Sequence, residues 1–200
     1  MSCAVDHYAL TQTVAPTIDP VSLAEQKAQC RVDHTDDDAY LLDLIAAATD
    51  SCEGFTGRQL IHATYTLKLD GFPANDEIEL PRPPLSSVTS ITYIDTAGTS
   101  QTVAAADYQT DSSAYVGRIM PAYNAYWPAT RDQQYNTVTV TFVAGYGATA
   151  ATVPIRLRQG IKAFVGTLYE HRETIVLGTI KVEIPEVCRA LWYPFKLVQA

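Results

Sequence analysis

Hydrophobic residues first recur at helical spacing shortly after residue 20. Leu23 and Cys30 place a narrow apolar stripe on a segment that begins at Ser22. Glu25 stands three residues after this serine and completes the capping-box pattern, in which each side chain satisfies a backbone N–H of the other residue. The pattern predicts a short helix that ends near Arg31.

A longer helical pattern follows. From Leu41 to Phe55 the apolar residues stand three and four positions apart, which is the period of an amphipathic helix. Thr35 is a favourable N-cap residue, the run Asp36–Asp38 fills the first turn, and Gly57 supplies a left-handed C-cap. We therefore predict a helix of about 20 residues.

After residue 60 the pattern changes to short runs that are typical of strands. Polar and apolar residues alternate over 64–69 and 77–80, and β-branched residues are frequent in 88–94 and 137–143. We predict an antiparallel sheet or a small sandwich. The proline-rich segment 81–84 should be a loop or an edge, because proline cannot donate a ladder hydrogen bond.

Helical periodicity returns near residue 154. Pro154 suits the first turn of a helix. This helix has an apolar face and a basic face, and the basic face carries Arg156 and Arg158. A last, short helix is expected over 186–191, because a proline precedes it and another proline follows it.

Together these elements predict an α+β fold, in which a helical bundle of about four helices has a β-rich insert between its second and third main helices. We expect an irregular N-terminal arm over 1–19 and a helical core over 20–60 and 148–191. The β-rich insert should occupy 61–147, and a C-terminal tail should occupy 192–200.

Composition narrows the class of protein. The chain has 200 residues, of which 47% are hydrophobic and 18% charged, and this is enough for a compact core. No run approaches the ~18 apolar residues that cross a bilayer. The start lacks the basic and apolar regions of a secretory signal. We expect synthesis in the cytoplasm and no membrane partner.

Charge is distributed unevenly along the chain, whose formal net charge is −8. Residues 1–60 contain ten acids and three bases, whereas residues 151–200 contain seven bases and four acids. In a ring of identical subunits, this asymmetry would produce acidic and basic faces that steer assembly. The side chains that we expect at such a subunit interface are Asp36, Asp37, Asp38, Arg156, Arg158 and Arg172.

Motifs of catalysis and metal binding are absent from the sequence. It has no Gly-x-Ser-x-Gly, no phosphate-binding glycine loop, no His-Glu-x-x-His and no Cys-x-x-Cys. Its histidines are scattered over separate segments, and Cys30 and Cys52 fit a role as small buried hydrophobic residues. We expect no enzymatic activity, no cofactor and no metal.

The densest carboxylate group combines Asp33 with Asp36–Asp38. It could bind a divalent cation or supply acid–base catalysis. Consecutive helical residues point in different directions, however, and this favours a charged first turn of a helix over a shared site.

Aromatic residues are concentrated in the insert and at the C-terminal end. Those of the insert could serve core and loop packing, a protein interface, or a sugar site; they are Tyr108, Tyr115, Tyr123, Tyr126, Trp127, Tyr135 and Tyr146. On a free tail, Trp192, Tyr193 and Phe195 would expose an apolar patch on the order of several hundred Å2. These three residues therefore either fold back on the helices or insert into another protein.

Several segments share their order with one known family. They are Pro20–Asp33 with Asp36–Asp38, Glu53–Arg58, Glu79–Val88 with Ile91–Ile94, Thr139–Gly147, and Val153–Arg156 with Tyr169–Glu173. This set resembles the tailed-phage head–tail connector (portal adaptor) family from about residue 20 to the C-terminal region. Two features depart from the family pattern, namely Cys30, where a larger apolar residue is usual, and the long arm.

The resemblance implies a non-enzymatic structural protein of the virion neck, between head and tail. Such proteins form a ring, usually of twelve subunits, beneath the portal protein. The ring extends the DNA channel, and an acidic wall lets double-stranded DNA pass without sequence-specific binding. It also gives the stopper or tail-completion protein an attachment platform. The portal-docking residues implied by the family's C-terminal segment are Trp192, Tyr193, Pro194, Phe195, Lys196 and Leu197.

Two other functions stay open from the residues alone. A virion carbohydrate- or receptor-binding module would use the aromatic residues of the β-rich insert. An enzyme would use the acidic cluster at Asp36–Asp38.

Overall fold

The computed structural model describes residues 8–171 and 184–197. Within them the chain is an α+β mixture of four α-helices and eight strands, which confirms the predicted fold class. The helices are α1 (Leu23–Cys30), α2 (Asp38–Thr56), α3 (Ile155–Glu170) and α4 (Glu186–Trp192). The strands are β1 (Tyr8–Val14), β2 (Ala63–Leu69), β3 (Ile78–Leu80), β4 (Leu85–Ile94), β5 (Ser100–Thr102), β6 (Tyr108–Asp111), β7 (Gly117–Pro121) and β8 (Val138–Ala144).

The chain divides into two compact units. The first, called the β unit here, contains the described residues up to Ala15 together with His62–Tyr146. The second, called the helical unit, contains Pro16–Ile61 and the described residues from Gly147 onward. Two short 3-10 turns, Ala150–Thr152 and Tyr193–Phe195, belong to the helical unit.

The β unit contains two antiparallel sheets. The larger has the strand order β1-β2-β8-β4-β5, and the smaller has the order β3-β7-β6. β2 and β8 pair along their whole length, from Ala63 opposite Ala144 to Leu69 opposite Val138. Alternate side chains of both strands are buried, since successive residues of a strand face opposite sides of the sheet.

The core of the β unit forms on the buried face of this sheet. Tyr65 and Phe142 stack there with ring centroids 5.8 Å apart. Ile91 of β4 and Ile119 of β7 are fully buried in the same cluster. The four strand-like runs of the sequence therefore correspond to strands, although β4 begins earlier, at Leu85.

The expectation of an irregular arm is wrong for residues 8–14, because they form β1 at the edge of the larger sheet. Leu10 alone in this strand is partly buried, and the other six side chains are exposed. The strand is held by backbone pairing with β2, so it lacks the alternation that burial of one face produces. The rest of the predicted arm, residues 1–7, lies outside the described residues.

The helical unit begins as the sequence predicts. The backbone N–H of Ser22 donates to the Glu25 carboxylate at 3.1 Å, and the N–H of Glu25 donates to the Ser22 hydroxyl at 3.3 Å. This reciprocal capping box starts α1, and Arg31 ends it in a left-handed conformation (φ 55°). The expected helix and its cap are confirmed.

The second helix starts later than predicted. The expectation that Thr35 is its N-cap is wrong, because α2 begins at Asp38 and Asp37 occupies the cap position without a side-chain hydrogen bond. The carboxylates of Asp37 and Asp38 are bound by other parts of the fold, as described below. The rest of the prediction is confirmed, including burial of the apolar stripe and the left-handed C-cap at Gly57 (φ 71°).

The third helix packs its apolar face in the interior of the helical unit, where Leu157, Ile161 and Val165 are fully buried. These positions are four residues apart, which is the spacing of one helix face. No helix in the described part of the chain has the length and apolarity to cross a membrane.

Candidate assembly surfaces

Trp192 at the end of α4 is a core residue of the helical unit. Its indole is fully buried, and its Nε1–H donates to the carbonyl oxygen of Leu157 at 3.2 Å. The ring lies 6.1 Å from the ring of Phe164, edge to face, and 6.1 Å from the ring of Phe55. Such aromatic geometry and a satisfied N–H are typical of a tryptophan that stabilises a core.

Space for this indole exists because residue 160 is glycine. A Cβ at Gly160 would lie 2.1 Å from Nε1 of Trp192. Of the two alternatives that the sequence left open for Trp192, the structure shows folding back on the helices.

The segment after Trp192 runs along the end of α2. Arg58 Nε donates to the Phe195 carbonyl oxygen at 2.6 Å, and the N–H of Leu197 donates to the Thr56 carbonyl oxygen at 2.9 Å. The last carbonyls of a helix have no partner within the helix. The C-terminal segment therefore supplies a partner for the last carbonyl of α2.

Part of the same segment faces outward. Tyr193 is 68% exposed, Pro194 and Lys196 are exposed, and Phe195 and Leu197 are half-buried. An open cleft of about 410 Å3 adjoins this surface, and it is lined by Phe55, Glu186, Arg189, Ala190, Tyr193 and Lys196. A docking role for the predicted set of six residues stays a prediction.

The carboxylates at the start of α2 take part in contacts within the helical unit. Lys27 Nζ lies 2.6 Å from Asp38 Oδ1. The Tyr169 hydroxyl donates to Asp37 Oδ2 at 2.5 Å, and His34 Nε2 lies 3.9 Å from the same oxygen. These contacts join α1, α2 and α3.

The predicted basic residues behave differently from one another. Arg158 is half-buried; its Nε donates to the Pro20 carbonyl oxygen at 3.0 Å, and it forms an ion pair with Glu25. Arg156 is exposed, and Arg172 lies outside the described residues. Within the described part, the ion pairs do not join Arg158 to Asp36–Asp38.

Electrostatics favours the ionised form of Glu25. The backbone N–H of Ser22 and the guanidinium of Arg158 hold the pKa of the Glu25 carboxyl below its ordinary value, against a smaller opposing effect of burial. The contact thus ties the start of α1 to α3. Among residues 8–171 and 184–197, no group of three or more His, Cys, Asp and Glu side chains is placed to hold a metal ion.

The aromatic residues of the β unit have mixed roles. Trp127 stacks on Phe72, with ring centroids 4.6 Å apart, and its Nε1–H donates to the Asp76 carbonyl oxygen at 3.0 Å. Tyr108 and Tyr146 are half-buried, and Tyr115 is exposed. The loop between β7 and β8 carries the most exposed rings, Tyr123 at 92%, Tyr126 at 85% and Tyr135 at 81%.

Two surfaces were missed in the sequence. One is β1, an edge strand of the sheet that the described residues form; its uncharged run of Tyr, Leu, Thr and Val is a weak strand signal that could have shown it. The other is the outer face of α2, where Asp43 and Asp50 are exposed seven residues apart. Seven residues are close to two helical turns, so both carboxylates lie on one face.

Comparisons with known proteins agree on one class. The sequence model of the phage gp6-like head–tail connector protein family matches residues 20–126. No curated protein matches the chain significantly.

Three solved structures contain similar chains. One is the neck of the empty GTA particle computed with C6 symmetry (27% identity, TM-score 0.78, 96% of this chain and 97% of that chain). Another is the virion of the native gene transfer agent (GTA) particle (26% identity, TM-score 0.78, 96% of each chain). The third is the neck of the native GTA particle computed with C12 symmetry (27% identity, TM-score 0.71, 96% of this chain and 97% of that chain).

Proposed function

The chain belongs to the phage gp6-like head–tail connector family, and we propose that it forms a ring in the neck of a tailed phage or phage-like particle. It is a structural connector of such a particle. The ring lies under the portal, extends the DNA channel, and gives the stopper or tail its attachment platform. The chain is made in the host cytoplasm and joins the virion during head completion.

Similarity to neck proteins over almost the whole chain carries this proposal. Structures of those necks were computed with C6 and C12 symmetry, and cyclic symmetry repeats identical subunits about one axis. We accordingly propose a ring of twelve copies, in which Asp36 and Arg156 are exposed charges available to neighbouring subunits.

For the portal contact we propose the outward side of the C-terminal segment. Tyr193, Pro194 and Lys196 are exposed there beside the open cleft. Tyr193 and Arg189 both line this cleft, and tyrosine and arginine are enriched at protein interfaces. Trp192 supports this surface from the core of the helical unit.

Charge supports a channel that DNA crosses without binding. The net charge of −8 opposes adhesion to phosphates, and exposed carboxylates include Asp36, Asp43 and Asp50. Family and neighbours are structural neck proteins, and we propose that this chain likewise has no enzymatic activity.

Loss of the gene for this chain tests the proposal. We expect DNA-filled heads and separate tails to accumulate, and wild-type chain supplied in trans to restore tailed particles. Formation of tailed particles without the chain would contradict the proposal.

A second function, a carbohydrate- or receptor-binding module, is favoured by one observation. Tyr123, Tyr126 and Tyr135 expose most of their ring surface, and exposed aromatic rings can stack on sugars. Binding of the purified chain to a glycan array would support this alternative, whereas a connector should show none.

A further inference from the structure

Among the described residues, the larger sheet of the β unit ends in two strands, β1 and β5. β1 pairs with β2 from Tyr8 opposite Leu69 to Gln12 opposite Tyr65, and a bulge lies between Gln12 and Val14. In a ladder of this kind, alternate residues direct their backbone N–H and C=O groups away from the paired strand. The outer side of β1 therefore presents a row of hydrogen-bonding groups.

This edge lacks most of the devices that protect edge strands. Natural edge strands are blocked by charged side chains, proline, short length or bulges. The sequence of β1, Tyr-Ala-Leu-Thr-Gln-Thr-Val, contains no charged residue and no proline. Its single bulge still leaves the five residues from Tyr8 to Gln12 in regular register. Such an edge is a template for another strand.

The opposite edge of the same sheet has matching chemistry. β5 contains Ser100, Gln101 and Thr102, which are all exposed and uncharged. The N–H of Val103 donates to the carbonyl oxygen of Ile91 at 2.9 Å, so pairing with β4 continues one residue beyond β5. Three to four residues of extended edge are thus available there.

The edges of the smaller sheet match β1 less well. In β3 the flanking residues Ile78 and Leu80 are buried around an exposed Glu79. In β6, Asp111 already forms an ion pair with Arg118, with 3.1 Å between Oδ2 and Nε. Both β3 and β6 thus contain an acidic residue within the strand, whereas β1 and β5 contain no charged residue.

Ring symmetry requires two different surfaces on each subunit, because the face that one copy offers must meet another face of the next. We propose that β1 of one copy pairs with β5 of the adjacent copy, so that the sheets of neighbouring subunits join across the interface. This inference rests on the proposed ring. The subunit contact would then include β1 and β5 in addition to the exposed charges of Asp36 and Arg156.

Paired cysteines test the contact in assembled particles. Neighbouring residues of adjacent strands have Cα atoms about 4.5–5.5 Å apart, within the range that a disulfide bridges. Thr11→Cys and Gln12→Cys sample both faces of β1, and each is combined with Ser100→Cys or Thr102→Cys. Gln101 is left unchanged because its side chain donates to Asp95 at 3.0 Å.

After mild oxidation of purified particles, we expect one of these combinations to give a ladder of covalent multimers on a non-reducing gel, with more than half of the chain shifted. Each single variant should remain monomeric. The matched control pairs Thr11→Cys with Thr110→Cys on the exposed part of β6 and should give no ladder.

Other outcomes would overturn the inference. Particles that contain the chain but give no ladder with either β5 position would do so, as would a ladder from the Thr110→Cys control. Dimers from Thr11→Cys alone would indicate pairing of β1 with itself. The presence of the wild-type chain in purified particles is measured before any cross-linking. Its absence would contradict the proposed function as well.

Discussion

Gly160 of α3 lies against the indole of Trp192, so close that a Cβ at residue 160 would stand 2.1 Å from Nε1. This contact joins α4 to α3 and fixes where the C-terminal segment runs. The other glycine in the same helix, Gly166, has no atom within 4 Å of its Cβ position. The two glycines therefore form a matched pair for substitution.

We expect Gly160→Ala to destabilise the protein by about 1–3 kcal/mol, the usual cost of overpacking a core. Gly166→Ala should stabilise it by about 0.5–1 kcal/mol, because alanine favours a helix over glycine. Urea denaturation followed by tryptophan fluorescence measures both changes. Equal stabilisation by the two substitutions would contradict the contact between Gly160 and Trp192.

Substitutions at Trp192 and Tyr193 should have different effects, the first on folding stability and the second on portal binding. Trp192→Ala should lower the free energy of unfolding by about 3–5 kcal/mol, as for other buried aromatic residues. Tyr193→Ala removes an exposed side chain and should change it by less than about 0.5 kcal/mol. The same variant should reduce co-sedimentation of the chain with purified portal.

The control for docking is Ile18→Ala, which removes an exposed apolar side chain from outside the C-terminal segment. Portal binding should be unchanged by it. Undiminished binding of a folded Tyr193→Ala, Lys196→Ala double variant would contradict the proposed docking surface. Deletion of residues 192–200 is a poorer test, because it also removes the buried indole.

Acid should weaken the contact of Glu25 with Ser22 and Arg158. The folded-state pKa of Glu25 is below its ordinary value, so its contribution is complete above the unfolded carboxyl pKa, near pH 4.3, and is lost as the pH falls through the folded-state pKa. Glu25→Gln should cost roughly 0.5–1 kcal/mol at pH 7, the scale of a helix-capping interaction. The difference from wild type should shrink towards pH 3, as measured by denaturation. A difference that is independent of pH would contradict this assignment.

The exposed tyrosines of the loop between β7 and β8 are expected to be dispensable for folding. Replacing Tyr123, Tyr126 and Tyr135 by serine should change the free energy of unfolding by less than about 0.5 kcal/mol per site. Wild type should bind no glycan above background. Glycan binding that the triple variant loses while it remains folded would favour the carbohydrate-binding function instead.

Periodicity predicted the parts of the fold in which one face is buried. The stripe from Leu41 to Cys52 and the alternation around Leu67 both arise from such burial, so each leaves a regular pattern. β1 has almost no buried side chain, and its place in the sheet depends on backbone pairing, which leaves little trace in the order of residues.

The other differences between the sequence-based predictions and the structure arise from contacts between residues that are distant along the chain. Thr35 has the chemistry of an N-cap, but Asp37 is bound by Tyr169, which lies 132 residues away along the chain. From the sequence, Trp192 could be an exposed terminal aromatic residue, but the absence of a side chain at Gly160 leaves space for its indole in the core. The candidate surfaces were therefore predicted by composition and resemblance, while their buried and exposed residues required the structure.

Cryo-electron microscopy of the intact particle tests the central claim most directly. With a tag at the chain's end, the image should show this protein as a ring of identical copies in the neck, between portal and tail. A particle whose neck lacks the chain, or holds it as a single isolated copy, would contradict the account.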